Sequence, residues 1–440
     1  MGTGTISLTP TINVTLQADA TNRSVANAMN VGGTGNINFD SNGGGILNIV
    51  QGSTTHSTTL LVNANFNVAS GATVAFLQPI TGTGRSLTKS GAGTLEFGIG
   101  MTYSGGTTVN AGTLSILSAG ALASGSNLTI GAAGTVSAAN VGQSLGTVQV
   151  DGLWNLNAAT GTTTVTTLNG LSTGDINFGS ATTLSVSQST TDYAGTIDGA
   201  GILTKTSAND LTLTSALSTY SGGTNLTNGS LTIGADSTAS GTLTQGPIGI
   251  GTLNVSANTT INGAGAARTI HNAIGLNTAV TFGGTNQLYT NVGLTVPTQI
   301  TMGANLALTV NTGVDIEFAK EITDGTNTFT LNKLGTGRLI LSNADNTFTG
   351  AVTVSAGTLA VTSLETQTAT VGTNADSLGN SNNTAASLTI NGAVLQYLGS
   401  GSSTDRLFTV GASGATLDAA GAAPWHSSTP ERSAAAVIET

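Results

Sequence analysis

One block of sequence occurs three times in this chain, and such recurrence restricts the fold to a stack of like units. The first copy reads Leu87-Thr88-Lys89-Ser90-Gly91-Ala92-Gly93-Thr94-Leu95, then Tyr103-Ser104-Gly105-Gly106-Thr107, then Gly112-Thr113-Leu114-Ser115-Ile116. The second has Leu203-Thr204-Lys205, Leu211, Tyr220-Ser221-Gly222-Gly223-Thr224 and Gly229-Ser230-Leu231-Thr232-Ile233. The third has Leu331-Asn332-Lys333, Leu339, Phe348-Thr349-Gly350 and Gly357-Thr358-Leu359-Ala360-Val361. The aromatic residue stands the same distance ahead of the Gly-x-Leu in every copy.

Within the block, stretches such as Thr113-Leu114-Ser115-Ile116 alternate small polar with large apolar residues at period two, the mark of a strand with one wet and one buried face. Gly-Gly, Ala-Gly and Asn-Gly pairs separate these strands, and such residues accept the positive φ of a tight corner. Corners recur too closely to leave the ten or more residues that an amphipathic helix needs. The chain is therefore expected to be all-β, a parallel β-solenoid of roughly 20 coils. The period-two pattern turns Leu95, Leu114, Leu211, Leu231, Leu339 and Leu359 inward, and Tyr103, Tyr220 and Phe348 are expected in equivalent positions.

Composition bounds the interior. With 38% hydrophobic but only 4% aromatic residues, the core is expected to be a narrow column of stacked aliphatic side chains. Low charge (7%) with many Val, Ile and Leu separates the chain from disordered sequences. The absence of Cys rules out disulfide staples, which a solenoid gaining stability turn by turn does not require. A net charge of −10 argues against a nucleic-acid partner, because phosphate-backbone binders concentrate Lys and Arg. No apolar run is long enough for a membrane-spanning helix, and the first residues lack the basic and apolar regions of a signal peptide. Thr5-Ile6-Ser7-Leu8 already alternates as a strand, which gives an edge for head-to-tail self-association.

Residues 1–417 read as one solenoid with recognisable blocks at about 80–130, 197–255 and 322–390. Residues 418–440 diverge, with Pro424-Trp425-His426 and Pro430-Glu431-Arg432, and read as a cap, an interaction tail or the scar of a shifted reading frame.

The string Ile197-Asp198-Gly199-Ala200-Gly201-Ile202-Leu203-Thr204-Lys205, with Gly93-Thr94-Leu95, Tyr103-Ser104-Gly105-Gly106-Thr107 and Gly112-Thr113-Leu114, resembles the autotransporter-associated β-strand repeat of bacterial surface proteins. Ser403-Thr404-Asp405-Arg406-Leu407-Phe408-Thr409-Val410 resembles sequence that follows such repeats. Strong resemblance covers about a quarter of the chain. It implies a right-handed parallel β-helix exposed outside a Gram-negative-type cell as the passenger of a translocating barrel. No series of ten-residue strands with aromatic girdles marks that barrel here. The expectation is accordingly a passenger alone, or a relative that reaches the surface by another route.

Residues able to carry chemistry are sparse. His56, His271 and His426 stand far apart and read as solvated surface, and without cysteine a zinc site is not expected. Lys89, Lys205 and Lys333 share one repeat position before a Gly-rich corner and read as solvated corner residues. Gly32-Gly33-Thr34-Gly35-Asn36-Ile37-Asn38-Phe39-Asp40 approximates a calcium nonapeptide but has Ile37 where that motif wants Asp. Asp192 with Asp198 and Asp210, of which Asp192 and Asp210 stand about one coil apart, are the carboxylates that a polysaccharide-acting β-helix enzyme would use, against the simpler reading of corner Asp residues bonding their own turns. No catalytic, cofactor or metal residue is assigned. The expected function is a non-enzymatic extracellular solenoid, adhesive or scaffolding, with other cells, surface polysaccharide, matrix or copies of itself as partners. The alternatives are a fibre subunit stacking end to end and the polysaccharide enzyme.

Overall fold

A computed structural model describes residues 4–118, 121–139, 142–187, 192–284, 288–290, 299–366, 374–400, 404–419 and 436–438. The described chain is a parallel β-solenoid of about 17 turns. The one helical element among the described residues is the 3-10 turn Ala385–Ser387. The count falls below the expected 20 because turns vary in length. Hydrogen-bonded partners on adjacent turns are 20 residues apart from Asp151 to Leu171, but 29 apart from Asn36 to Asn65. An antiparallel hairpin, Thr238–Ser240 with Thr242–Gln245, also places residues outside the parallel ladders. The chain divides into two compact units, residues 1–222 and 223–440.

In the first unit each turn contributes strands to separate parallel ladders. One ladder runs through Val14–Ala18, Ile37–Ser41, Ala64–Val68 and Leu87–Ser90 to the opening halves of Thr107–Ile116 and Leu128–Ala138. A second runs through Arg23–Val25, Ile46–Val50, Thr73–Leu77 and Thr94–Phe97 to the closing halves of the same two long strands. It continues into Leu153–Leu156, Asp175–Phe178 and Thr196–Gly199. A third joins Ile6–Leu8, Met29–Val31, Thr58–Leu60 and Ile80–Thr81. Later turns add the ladder of Gly161–Asn169, Thr182–Val186 and Ile202–Lys205.

The second unit repeats the plan. Its longest ladder passes through Ser230–Ile233, Thr259–Gly263, Val280–Gly284, Leu306–Val310, Leu331–Leu334, Val352–Val354, Leu388–Ile390 and Thr409–Val410. Another links Arg268–Ile270, Leu288–Thr290, Asp315–Phe318, Arg338–Leu341, Thr358–Val361, Ala393–Tyr397 and Ala415–Asp418.

Strand alternation fills the interior as the sequence requires. Leu95, Leu114, Leu211, Leu231, Leu339 and Leu359 are all fully buried, as are Tyr220 and Phe348, with Tyr103 nearly so. The interior is less purely aliphatic than composition suggests, because the few aromatics are concentrated there. Phe39, Phe66 and Phe76 meet ring to ring with centroids 5.3 to 6.1 Å apart, and Trp154 and Phe178 are also enclosed. Beyond Ala419 the divergent tail lies outside the described residues, except that backbone 436–438 pairs antiparallel with Ala415–Asp418.

Candidate functional site

The lysines of the three blocks are not solvated. Lys89, Lys205 and Lys333 are each 0% exposed, which corrects the corner reading. The cause is strand parity: Leu87 and Lys89 stand two apart in Leu87–Ser90 and share its inward face, as do Leu331 and Lys333 in Leu331–Leu334. The stem of Lys89 stacks in register between Phe66 and Val109, and that of Lys333 between Leu308 and Val354.

Each stem delivers its ammonium to a corner of backbone carbonyls. Lys89 Nζ donates to Ser90 O at 2.9 Å and Gly91 O at 2.7 Å in its own turn, and to Ala111 O at 3.0 Å in the next. Lys333 Nζ does the same with Leu334 O at 3.0 Å, Gly335 O at 2.9 Å and Ala356 O at 3.1 Å. An ammonium has three donors, and all three are used. Gly91 (φ 74°) and Gly335 (φ 72°) take the left-handed conformation that breaks the strand's alternation and lets successive carbonyls face one ammonium. Across the corner, a Cβ on Gly112 would lie 2.5 Å from the carbonyl oxygens of Gly91 and Gly93. One on Gly357 would meet those of Gly335 and Gly337 at the same distance. Glycine is what allows two turns to close on the lysine. Burial pushes both lysines down from 10.5 to about 8.

The middle block varies the theme. Ser207 stands where the others have Gly91 and Gly335, and Lys205 Nζ donates to both its carbonyl and, at 3.3 Å, its hydroxyl. Burial lowers the Lys205 pKa, and the charge of Asp210 partly opposes that shift.

A second recurrent device escaped the sequence reading because its chemistry changes from copy to copy. Two positions before each aromatic, an inward side chain accepts the backbone N–H of an isoleucine one turn back. Met101 S takes Ile80 N at 3.2 Å, Ser218 Oγ takes Ile197 N at 3.1 Å, and Asn346 Oδ1 takes Ile322 N at 2.8 Å. A search for a shared residue type finds nothing there, whereas the spacing to Tyr103, Tyr220 and Phe348 would have. The Tyr103 hydroxyl meets Thr107 Oγ1 at 2.6 Å, and burial raises the tyrosine pKa.

The remaining candidates do not converge. His56 is half-buried with Nδ1 2.7 Å from Ala26 O, and His426 lies outside the described residues. His271 is buried rather than solvated, because it directly follows the strand Arg268–Ile270 as the chain turns inward, and burial lowers its pKa. In the nonapeptide-like segment, Ile37 and Phe39 face the core, while Asp40 accepts the N–H of Ser41 at 2.8 Å. Asp198 holds Thr219 N and Oγ1 at 3.1 and 2.6 Å, and Asp210 accepts from Thr212 Oγ1 at 3.0 Å. Asp192 sits exposed in register with Thr212, whereas Asp198 belongs to a different ladder, in register with Asn177. Further along, Arg406 Nη2 donates to both oxygens of Asp376, at 3.0 and 2.9 Å, and to Gly379 O at 3.1 Å, an enclosed ion pair that ties two loops together. No helix among the described residues is long and apolar enough to cross a membrane.

Stacked parallel turns with a lysine-filled corner in each of three like blocks define a β-solenoid repeat protein. The passenger-associated-transport-repeat family matches residues 87–116, 203–233 and 331–361, the three blocks that carry Lys89, Lys205 and Lys333. The chain thus carries three copies of that passenger-associated repeat. It is 34% identical over 226 residues to the adhesin BmaC autotransporter of Brucella suis biovar 1 (strain 1330), a match covering 51% of this chain and 6% of that relative's length. No solved structure matches the chain. These likenesses support an extracellular, passenger-like role in Gram-negative bacteria.

Proposed function

We propose that the chain is a non-enzymatic stretch of passenger that attaches its cell to other cells, to surface polysaccharide or to matrix through its outer faces. The observation that carries this reading is the outward side of the ladders, where neutral polar side chains stack in register from turn to turn. Asn65 Nδ2 donates to Asn36 Oδ1 at 3.0 Å, Asn67 to Asn38 at 2.9 Å and Asn254 to Asn225 at 3.1 Å. Each ladder holds its amides in a fixed orientation, so a partner is met by a pre-ordered polar surface at little cost in side-chain entropy. The adhesin named among its relatives supports the same reading. The carboxylates Asp198 and Asp210 lie in strands and each holds a threonine, Asp198 one on the next turn and Asp210 one two positions along its own strand, a structural use that supports the non-enzymatic reading.

The test is a bead assay. Beads coated with the folded chain should be retained on polysaccharide, matrix protein or cultured cells above beads coated with heat-unfolded chain. Equal retention of the two would overturn adhesion, and beads that cluster only with one another would assign the surface to copies of the same chain.

A further inference from the structure

The corners around Lys89 and Lys333 gather backbone carbonyls about one ammonium. Those at Lys89 and Lys333 lie in different compact units, yet both present three carbonyl oxygens between 2.7 and 3.1 Å from the nitrogen. In each, two oxygens come from one turn and the third from the next, and both side chains are fully enclosed. Both ammonium groups donate all three of their hydrogen bonds to backbone carbonyls, so peptide dipoles face the charge, as rings of carbonyls do for potassium in selectivity filters. Lys205 departs from this pattern, since a serine hydroxyl joins its cage and Asp210 adds a facing charge.

We infer that the corner of the first and third repeats is a monovalent-cation site of the ammonium class, in which the lysine side chain is a tethered, resident cation. The site belongs to the junction of two turns, because neither turn alone supplies all three oxygens. A cation of the right shape should therefore fill it when the tether is cut.

Lys333→Ala in the full chain makes the test, because alanine keeps Cβ and the missing atoms are those of propylammonium. Thermal unfolding is followed at pH 7 and constant ionic strength with propylammonium, ammonium or sodium as the cation, and with neutral 1-propanol as a further control. The variant is expected to melt below the parent. Propylammonium should recover most of the loss and ammonium a smaller part, sodium and propanol should recover none, and the parent should be indifferent to all four. Failure of propylammonium to recover stability, or equal recovery by every additive, would overturn the inference. So would a Lys333→Met variant that melts like the parent, because the corner would then need no cation. Should the alanine variant not fold, the native chain supplies the second measurement through acylation of its amines, read by mass spectrometry. Lys89 and Lys333 should stay unmodified while the half-buried Lys320 reacts, and modification at the Lys320 rate would refute the enclosed site.

Discussion

The first and third repeats hold the same three-carbonyl cage in different surroundings. Lys89 and Lys333, the left-handed Gly91 and Gly335, and the close-packed Gly112 and Gly357 are matched residue for residue. Two neighbouring positions are not. Where the first repeat pairs the Tyr103 hydroxyl with Thr107, the third has Phe348, and Val352 four residues on, so hydroxyl and partner are lost together. Where Met101 sulfur accepts one backbone N–H, Asn346 accepts the equivalent one with an amide oxygen. The contrast separates two kinds of constraint. A cage of fixed carbonyls needs hydrogen-bond donors from a chain long enough to reach it, whereas a side-chain pair is exchangeable provided both members change, since a buried polar group is costly only when left without its partner.

The largest effect should come from the part that does not vary. Lys89→Met and Lys333→Met keep the stem but leave three carbonyls without a donor, and each should lose on the order of 3 kcal/mol of stability in denaturant unfolding. Losses that differ widely between the two would show that the cages are not equivalent.

Acid–base behaviour gives the next largest effect. Both lysines lie near 8 in the folded chain and 10.5 when unfolded. Below pH 8 both states carry the proton and the cost of the buried charge is felt in full. Between 8 and 10.5 the unfolded chain binds more protons, so stability should rise with pH. Tyr103, raised by burial from 10.0, acts in the opposite sense above pH 10, because the unfolded chain then loses a proton that the folded chain keeps. A melting temperature that climbs from pH 8 to 10 is the expected outcome, and a flat or falling profile would contradict the enclosed position of the lysines. Lys89→Met/Lys333→Met should flatten the climb.

Much of this was legible in the sequence, for a physical reason. Strand period and glycine corners are local properties, so the solenoid and its inward leucines could be read from stretches as short as Thr113-Leu114-Ser115-Ile116. The lysines were misread because residue type was weighed above parity. Charge suggests solvent, but standing two positions after Leu87, Leu203 and Leu331 puts each on the leucine's face. What makes that tolerable is the carbonyl cage, one of whose three oxygens comes from a residue some twenty positions away that only stacking brings near. The N–H acceptors were out of reach for a related reason. Met101, Ser218 and Asn346 have a backbone need in common and no chemistry in common, so the pattern exists in space before it exists in letters.

Those acceptors supply the third test. Asn346→Leu removes both an acceptor for Ile322 N and a donor to Ser377 O at 2.9 Å, and should lose about 2 kcal/mol. Met101→Leu removes only a weak sulfur acceptor while conserving volume, and should lose less than about 1.5 kcal/mol. Chemical denaturation of the two variants side by side reads the difference. Equal losses would mean that the hydrogen bond to the isoleucine contributes little in either repeat.

The smallest expected effect is the most discriminating, because it converts one repeat into the other. Tyr103→Phe alone leaves the Thr107 hydroxyl enclosed without its partner, and Thr107→Val alone does the same to the tyrosine; each should lose about 1 to 2 kcal/mol. The double variant recreates the Phe348 and Val352 arrangement, removes both polar groups at once, and should return to within about 0.5 kcal/mol of the parent. Restoration requires a coupling free energy nearly as large as the two single losses combined, which a double-mutant cycle measures directly. Simple additivity would mean that each hydroxyl is satisfied independently, and that the matched loss of hydroxyl and threonine between the first and third repeats has no energetic cause.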